Sequence, residues 1–292
     1  MSENTTGQLA PVIERAAAWV ERIPDSVPAP GPDLMVGLDI DGTLLHYDGD
    51  LSAEIRGAVA ALREAGTHVI LATGRGVTAT VPVAHALGLD ETWAVSSNGA
   101  VMVQLSQGEY EITDVVTFDP GPAVRALASE MPDLLFGVED IGRGFKVTAP
   151  FPTGELTGEI DVVDLDELVA TPATRVTVRA PDLDSDDFYD LVARVGLHGV
   201  SYAVGWAAWL DLTPPGVSKA SALEGLRGRF DVRPGATVTL GDGQNDEEML
   251  QWAAHGVAMG DAPDHVVAVA DAQTGGVAAD GAAVVLRALA MR

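Results

Sequence analysis

Residues 34–40 read Leu-Met-Val-Gly-Leu-Asp-Ile, an apolar run broken only by Gly37 and, near its end, by Asp39. A strand that alternates polar and apolar side chains covers a core on one face. A run without alternation fits a strand buried on both faces, as in a parallel sheet. After a polar loop, Leu51, Ile55, Val59 and Leu62 fall on one helical face within 51–65, with Ser52 placed to cap it. The pattern then predicts a strand at 68–72, a helix near 77–87 and a strand at 92–96. This alternation predicts a doubly wound α/β fold.

The middle of the chain changes character. Short strands are predicted at 110–118, 134–138, 143–148, 174–180, 200–204 and 208–212, with helices at 120–130 and 184–195. After Pro214-Pro215 the first pattern resumes, with a helix at 219–229, a strand at 237–240 and a helix at 247–254. An α+β insert, 108–205, is therefore expected to interrupt a single parallel-sheet core made of 34–107 and 206–292. Upstream, 9–22 has the spacing of a short amphipathic helix, and 24–33 holds four prolines and reads as a linker. Residues 1–33 are thus expected to be an appendage whose removal up to residue 30 leaves the chemistry nearly intact.

Composition narrows the functions. Apolar residues make up 47% of the 292, enough for a normal core and too many for a disordered chain. The formal net charge is -26, from 43 acidic and 17 basic residues. Such a surface repels nucleic acid and anionic lipid, so neither is an expected partner. It also repels an anionic substrate, which would need a local cation; a bound metal ion is the obvious source. There is no cysteine, hence no disulfide framework, thiolate chemistry or cysteine metal site. No stretch approaches the ~20 apolar residues of a membrane span, and residues 1–8 lack the basic head and apolar stretch of a secretory leader. A cytoplasmic protein is expected.

Four segments carry candidate chemistry, each at the end of a predicted strand or the start of a predicted helix, and a further polar turn, Ser97-Asn98-Gly99, lies near the second of them. In open α/β sheets such positions can meet, because the ligand crevice lies beyond the carboxyl ends of the strands. Asp39-Ile40-Asp41-Gly42-Thr43 ends the first strand; Asp-Gly is also a common turn, but carboxylates two apart share one face of extended chain and can serve one reacting group. Thr73-Gly74-Arg75 offers a hydroxyl and amides to phosphate oxygens, or is simply a capped turn. Ser97-Asn98-Gly99 follows the third strand and fits an ordinary polar turn. Lys219 opens a helix in a chain whose only other lysine is Lys146; a solvated helix lysine is the plain alternative. Gly241-Asp242-Gly243-Gln244-Asn245-Asp246 is an oxygen-rich turn suited to magnesium, a hard cation, or an Asx-rich loop without a ligand.

Together, DxDGT, TGR, a lysine and GDGxND, in that order, resemble the haloacid dehalogenase-like (HAD) hydrolase superfamily. The Ser97-Asn98-Gly99-Ala100 turn and the long insert are similar to its Cof-type, class IIB phosphatases. The resemblance covers about 34–290. It implies a Rossmann-like catalytic core with the insert as a cap that selects substrate. It implies Asp39 as nucleophile and Asp41 as general acid and base. Thr73 and Lys219 would hold the phosphoryl group, with Gly42, Gly74, Arg75, Asn98 and Asn245 as further phosphate or substrate contacts. Mg2+ would be held by Asp39, the Asp41 carbonyl and Asp242, with Asp246 close behind. In the insert, Arg143 and Lys146 are candidate substrate contacts, with strand-surface charges as the alternative. Gly260-Asp261-Ala262 stands where that group often has Gly-Asn-Ala, which adds an acid near the site.

The expected function is magnesium-dependent hydrolysis of a small phosphorylated metabolite, a sugar phosphate foremost, through an aspartyl phosphate. A phosphohexomutase on the same core would instead need a bisphosphate activator and release little phosphate. A non-catalytic metal- or metabolite-binding protein is a third reading, and intact Asp39, Asp41, Lys219 and Asp242 weigh against it.

Overall fold

The computed structural model describes residues 11–45, 49–197, 199–205 and 208–292. Its strands run in chain order β1 (Met35–Leu38), β2 (His68–Ala72), β3 (Thr92–Ser96), β4 (Val101–Ser106), β5 (Glu109–Val115), β6 (Leu135–Asp140), β7 (Gly144–Val147), β8 (Glu159–Val162), β9 (Val176–Arg179), β10 (Ser201–Gly205), β11 (Trp209–Thr213), β12 (Thr237–Gly241), β13 (His255–Ala258) and β14 (Ala272–Gln273).

Eight strands form one sheet in the order β14-β13-β12-β1-β2-β3-β4-β5. The first six are parallel to their neighbours, whereas β4 and β5 extend the sheet as antiparallel strands. The apolar run of β1 follows from burial on both sides. Val36 and Leu38 pack in the cluster that includes Ile55, Val59 and Val284, and Met35 packs in the one that includes Leu223, Leu226 and Met249. Helices Ala53–Glu64 and Gly281–Ala290 thus cover one face, and Lys219–Arg229 and Glu247–Trp252 the other. Ser52 caps the first of these, accepting from the Ile55 amide at 3.1 Å.

The remaining six strands form a second sheet in the order β10-β11-β9-β6-β7-β8. Phe136, Val138, Val176, Val178, Leu210 and Leu212 line its apolar face and form a cluster with Val124 and Leu127 of helix Gly121–Glu130 and Phe188 and Leu191 of helix Ser185–Val195. By the period of two, Glu139, Arg175, Thr177 and Asp211 point the other way, toward the strand ends of the first sheet.

Two strands fall on the other side of the expected division. The segment expected at 110–118 as part of the insert is β5, which pairs with β4 at the edge of the core sheet. A tight turn at Gln107 and Gly108, both at positive φ, closes that hairpin. Conversely β11, expected in the returning core, pairs with β10 and β9 in the insert sheet. The expected return point at residue 206 lies outside the described residues.

The N-terminal segment is not an appendage. Helix Val12–Trp19 packs along Gly281–Ala290, and Val12, Ala16, Trp19, Ile23 and Val27 are buried in the main core. The proline-rich stretch is tied down as well: Arg292 donates to the carbonyls of Pro24 and Val27, and Arg233 to that of Ser26. The expected helix start at residue 9 lies outside the described residues. Among them, no helix is long and apolar enough to cross a membrane.

Candidate active site

Asp39 follows β1 directly, and its amide donates to the Leu240 carbonyl of β12 at 3.0 Å. Its side chain meets Lys219, the first residue of helix Lys219–Arg229, whose Ser218 cap accepts from the Ser221 amide. The Lys219 Nζ is fully buried and donates to Asp39 Oδ1 at 2.6 Å and to Asp246 Oδ1 at 2.5 Å. Burial lowers the pKa of Lys219, but the Asp246 and Asp39 carboxylates more than reverse this and hold it above the ordinary lysine value. Burial pushes the Asp39 carboxyl well up; Lys219 opposes this, and Asp246, Asp242 and Asp41 add to it.

Asp242 opens the loop after β12. Thr43 donates to its Oδ1 at 3.3 Å, and burial followed by repulsion from Asp246 pushes its acid up to about 7. Its carboxylate lies where a side chain at Gly42 would collide, and Gly42 holds a φ of +75°. Glycine there lets the first motif and the Asp242 loop touch. Asp246 is buried, and its Oδ2 accepts from the Asp242 and Gly243 amides, each at 2.9 Å. With Lys219 on its other oxygen, Asp246 braces the loop from behind.

One carboxylate oxygen from each of Asp39, Asp242 and Asp246 lies within 4.8 Å of the others. A tight all-oxygen donor set whose acids repel one another suits a hard divalent cation. The residues present therefore fit a Mg2+ site.

A cavity of about 420 Å³ opens above this cluster. The core lines it with Asp39, Asp41, Thr73, Gly74, Arg75 and Asn245, and the insert with Phe145, Glu155, Arg175, Trp209 and Asp211. The Thr73 hydroxyl accepts from the Arg75 amide at 3.1 Å, which leaves its proton to donate elsewhere. Arg75 grips Asp41 through two hydrogen bonds.

Several candidates sit elsewhere. Arg143 is exposed and pairs with Glu159 at 2.6 Å and Asp140 at 3.2 Å. Lys146 pairs with Glu167 at 3.3 Å. Neither lines the cavity. On β7 it is Phe145, the neighbour of Lys146, that faces it, because successive strand residues point to opposite faces. Asn98 is buried at positive φ and bridges: it accepts from Asn245 at 2.9 Å and donates to Asp211 at 3.3 Å. It lines a smaller recess, of about 70 Å³, shared with Lys219 and Tyr202. Asp261 is bound into the following loop, where it accepts from the Val277 amide at 3.0 Å.

The insert's contribution is not legible in the local sequence pattern. Ser97 donates to Glu139 at 2.5 Å, Arg175 donates to the Gly74 carbonyl, and Thr177 donates to Asp211 at 2.9 Å. The available signal was the alternation of Arg175 and Thr177 with Val176 and Val178, which looks identical to a solvent-facing strand surface.

Comparison with known proteins gives a consistent picture. The model of the haloacid dehalogenase-like hydrolases matches residues 36–123 and 161–286. A phosphoglycolate phosphatase of Natronomonas pharaonis is 30% identical over 247 residues, 84% of this chain and 93% of that one. The 5-amino-6-(5-phospho-D-ribitylamino)uracil phosphatase YitU of Bacillus subtilis is 26% identical over 85% of this chain and 94% of its own. A solved HAD subclass IIB sugar phosphatase shares the fold, with a TM-score of 0.74 at 21% identity over 87% of this chain and 98% of that one. The chain belongs to the haloacid dehalogenase-like hydrolase family.

Proposed function

We propose that the protein is a magnesium-dependent phosphatase that hydrolyses a small phosphorylated metabolite, a sugar phosphate being the expected class, through a phosphorylated Asp39. The observation that carries this reading is Asp39 in the lining of a cavity that Asp41, Thr73 and Asp242 share, with its carboxylate held at 2.6 Å by Lys219, which also reaches Asp246 at 2.5 Å. The names of the relatives, phosphatases of small phosphate esters, support it.

Asp39 attacks phosphorus, and the bond from phosphorus to the ester oxygen breaks. Asp41 gives its proton to the departing oxygen, then takes one from the water that attacks the phosphorylated Asp39. That second attack breaks the Asp39–phosphorus bond and frees inorganic phosphate. Lys219 and the Thr73 hydroxyl hold the phosphoryl oxygens and offset the charge that builds there. Asp39, Asp242 and the Asp41 carbonyl would hold Mg2+, with Asp246 behind them. When bound, the ion offsets the charge of carboxylate and phosphate and lets one anion approach the other. The insert, between about residues 116 and 213, acts as the cap that selects the leaving group.

The test is release of inorganic phosphate from p-nitrophenyl phosphate and a panel of sugar phosphates with Mg2+. Chelation and Asp39→Asn are each expected to abolish it, since an amide is too poor a nucleophile. Undiminished turnover with the metal shown to be absent, or in the folded Asp39→Asn protein, would overturn the reading.

A further inference from the structure

If the phosphatase reading holds, the group that departs with the ester oxygen lies against the insert's wall of the cavity. The charged groups of that wall are Glu155, Arg175 and Asp211, beside the rings of Phe145 and Trp209. Glu155 is neutralised by Arg179, whose Nε lies 3.1 and 3.2 Å from its two oxygens. Arg175 is the wall's one remaining cation among the described residues, and its side chain is only 6% exposed. It donates to the Gly74 carbonyl, lies with Cζ 5.3 Å from the centre of the Phe145 ring, and stands 3.9 Å from both Glu139 and Asp211. Its buried Nε has no hydrogen-bond partner among the described residues. Asp211 accepts from Thr177, Trp209 and Asn98 at 2.9, 3.2 and 3.3 Å.

One cation thus stands between two carboxylates, Asp211 on the wall and Glu139 buried beside it, so the set of charges around Arg175 is net negative. In a partly dry cavity, a second anion at the far end of the substrate would be repelled at short range. A hydroxyl meets no such penalty: it can accept from Arg175 and donate to a lone pair of Asp211, while Trp209 and Phe145 cover carbon-bound hydrogens.

We propose that Arg175 and Asp211 form a leaving-group subsite that selects an uncharged, hydroxyl-bearing group and rejects one ending in a carboxylate. This rests on the phosphatase reading of the same cavity.

The test uses a matched pair, glycerol 3-phosphate and 3-phosphoglycerate, which differ at the far end by hydroxymethyl against carboxylate. With Mg2+, kcat/KM is expected to favour glycerol 3-phosphate by roughly tenfold or more. Asp211→Asn removes one negative charge and is expected to shrink that ratio several-fold. The ratio is taken within each variant, so a shared loss of folding or metal cancels. Should Asp211→Asn not fold, Glu139→Gln removes the other carboxylate beside Arg175 and is expected to shift the ratio the same way. A wild-type ratio near one or inverted, or a ratio untouched by the folded variant, overturns the subsite. Hydrolysis of p-nitrophenyl phosphate separates the two failures. If the wild type cleaves it yet does not discriminate within the pair, only the subsite falls; if it does not cleave it, the phosphatase reading falls and takes the subsite with it.

Discussion

Arg75 donates from Nε and Nη2 to the two carboxylate oxygens of Asp41, at 2.8 and 2.6 Å, at the open side of the cavity. A carboxylate held in this way accepts on both oxygens, so Asp41 must leave Arg75 before it can serve a leaving group. Asp41→Asn should therefore lower the single-turnover rate for an alkyl phosphate by roughly 10²–10⁴-fold. The loss for p-nitrophenyl phosphate should be far smaller, because p-nitrophenolate departs without a proton. Water activation is lost as well, so the phosphorylated Asp39 should persist. An equal loss for both esters, with no phosphoenzyme trapped, would remove Asp41 from the acid–base role.

Lys219 neutralises two buried carboxylates at once. Lys219→Met leaves them uncompensated, and breaking a buried pair in this way costs about 3–5 kcal/mol. The urea midpoint in chelator should drop accordingly. Mg2+ should raise the wild-type midpoint, by about 2.7 kcal/mol in stability at a hundred times its Kd, and should recover part of the variant's loss. A wild-type midpoint that Mg2+ leaves unmoved would take Asp39, Asp242 and Asp246 out of metal binding.

His255 supplies a pH dependence of stability away from the site. It is 3% exposed, and neither ring nitrogen has a hydrogen-bond partner among the described residues. Burial lowers its pKa, against a smaller raising effect of Asp271. The unfolded chain then binds the proton more readily, so stability is full above about pH 6.5 and falls as pH drops below it. The slope from this group is at most about 1.4 kcal/mol per pH unit. Unfolding of His255→Leu should show a shallower slope between pH 6.5 and 5. An identical slope in the variant would assign the acid sensitivity elsewhere, His68, also lowered by burial, being the next group to replace.

Trp19 is buried against the core, and its ring centre lies 6.0 Å from that of His255. Trp19→Ala should cost about 3–5 kcal/mol, read as a lowered thermal midpoint. Deleting residues 1–30 should be more damaging and expose the apolar side of Gly281–Ala290. A truncated chain that melts at the wild-type temperature would show that the segment contributes no stability.

The local sequence was enough for β1, β2, β3 and β12, the helices that flank them, and the residues gathered at their ends, but not for β4, β13, β14 or helix Gly281–Ala290. Apolar runs bury on both faces of a parallel sheet, and the motifs end those strands, so Asp39, Thr73 and Asp242 meet wherever such a sheet forms. The direction of the insert's polar face was decided only by the tertiary structure. Arg175, Thr177 and Asp211 alternate with Val176, Val178, Leu210 and Leu212 as they would on any half-exposed sheet, and the period of two is blind to what the polar side meets. Arg143 and Lys146 illustrate the converse: scarce cations at the right place in the chain were drawn to nearby acids on the surface. The N-terminal helix was visible as amphipathic, but no local pattern names the partner of an apolar stripe. The long-range packing of Val12, Ala16 and Trp19 on Gly281–Ala290 made the segment part of the core.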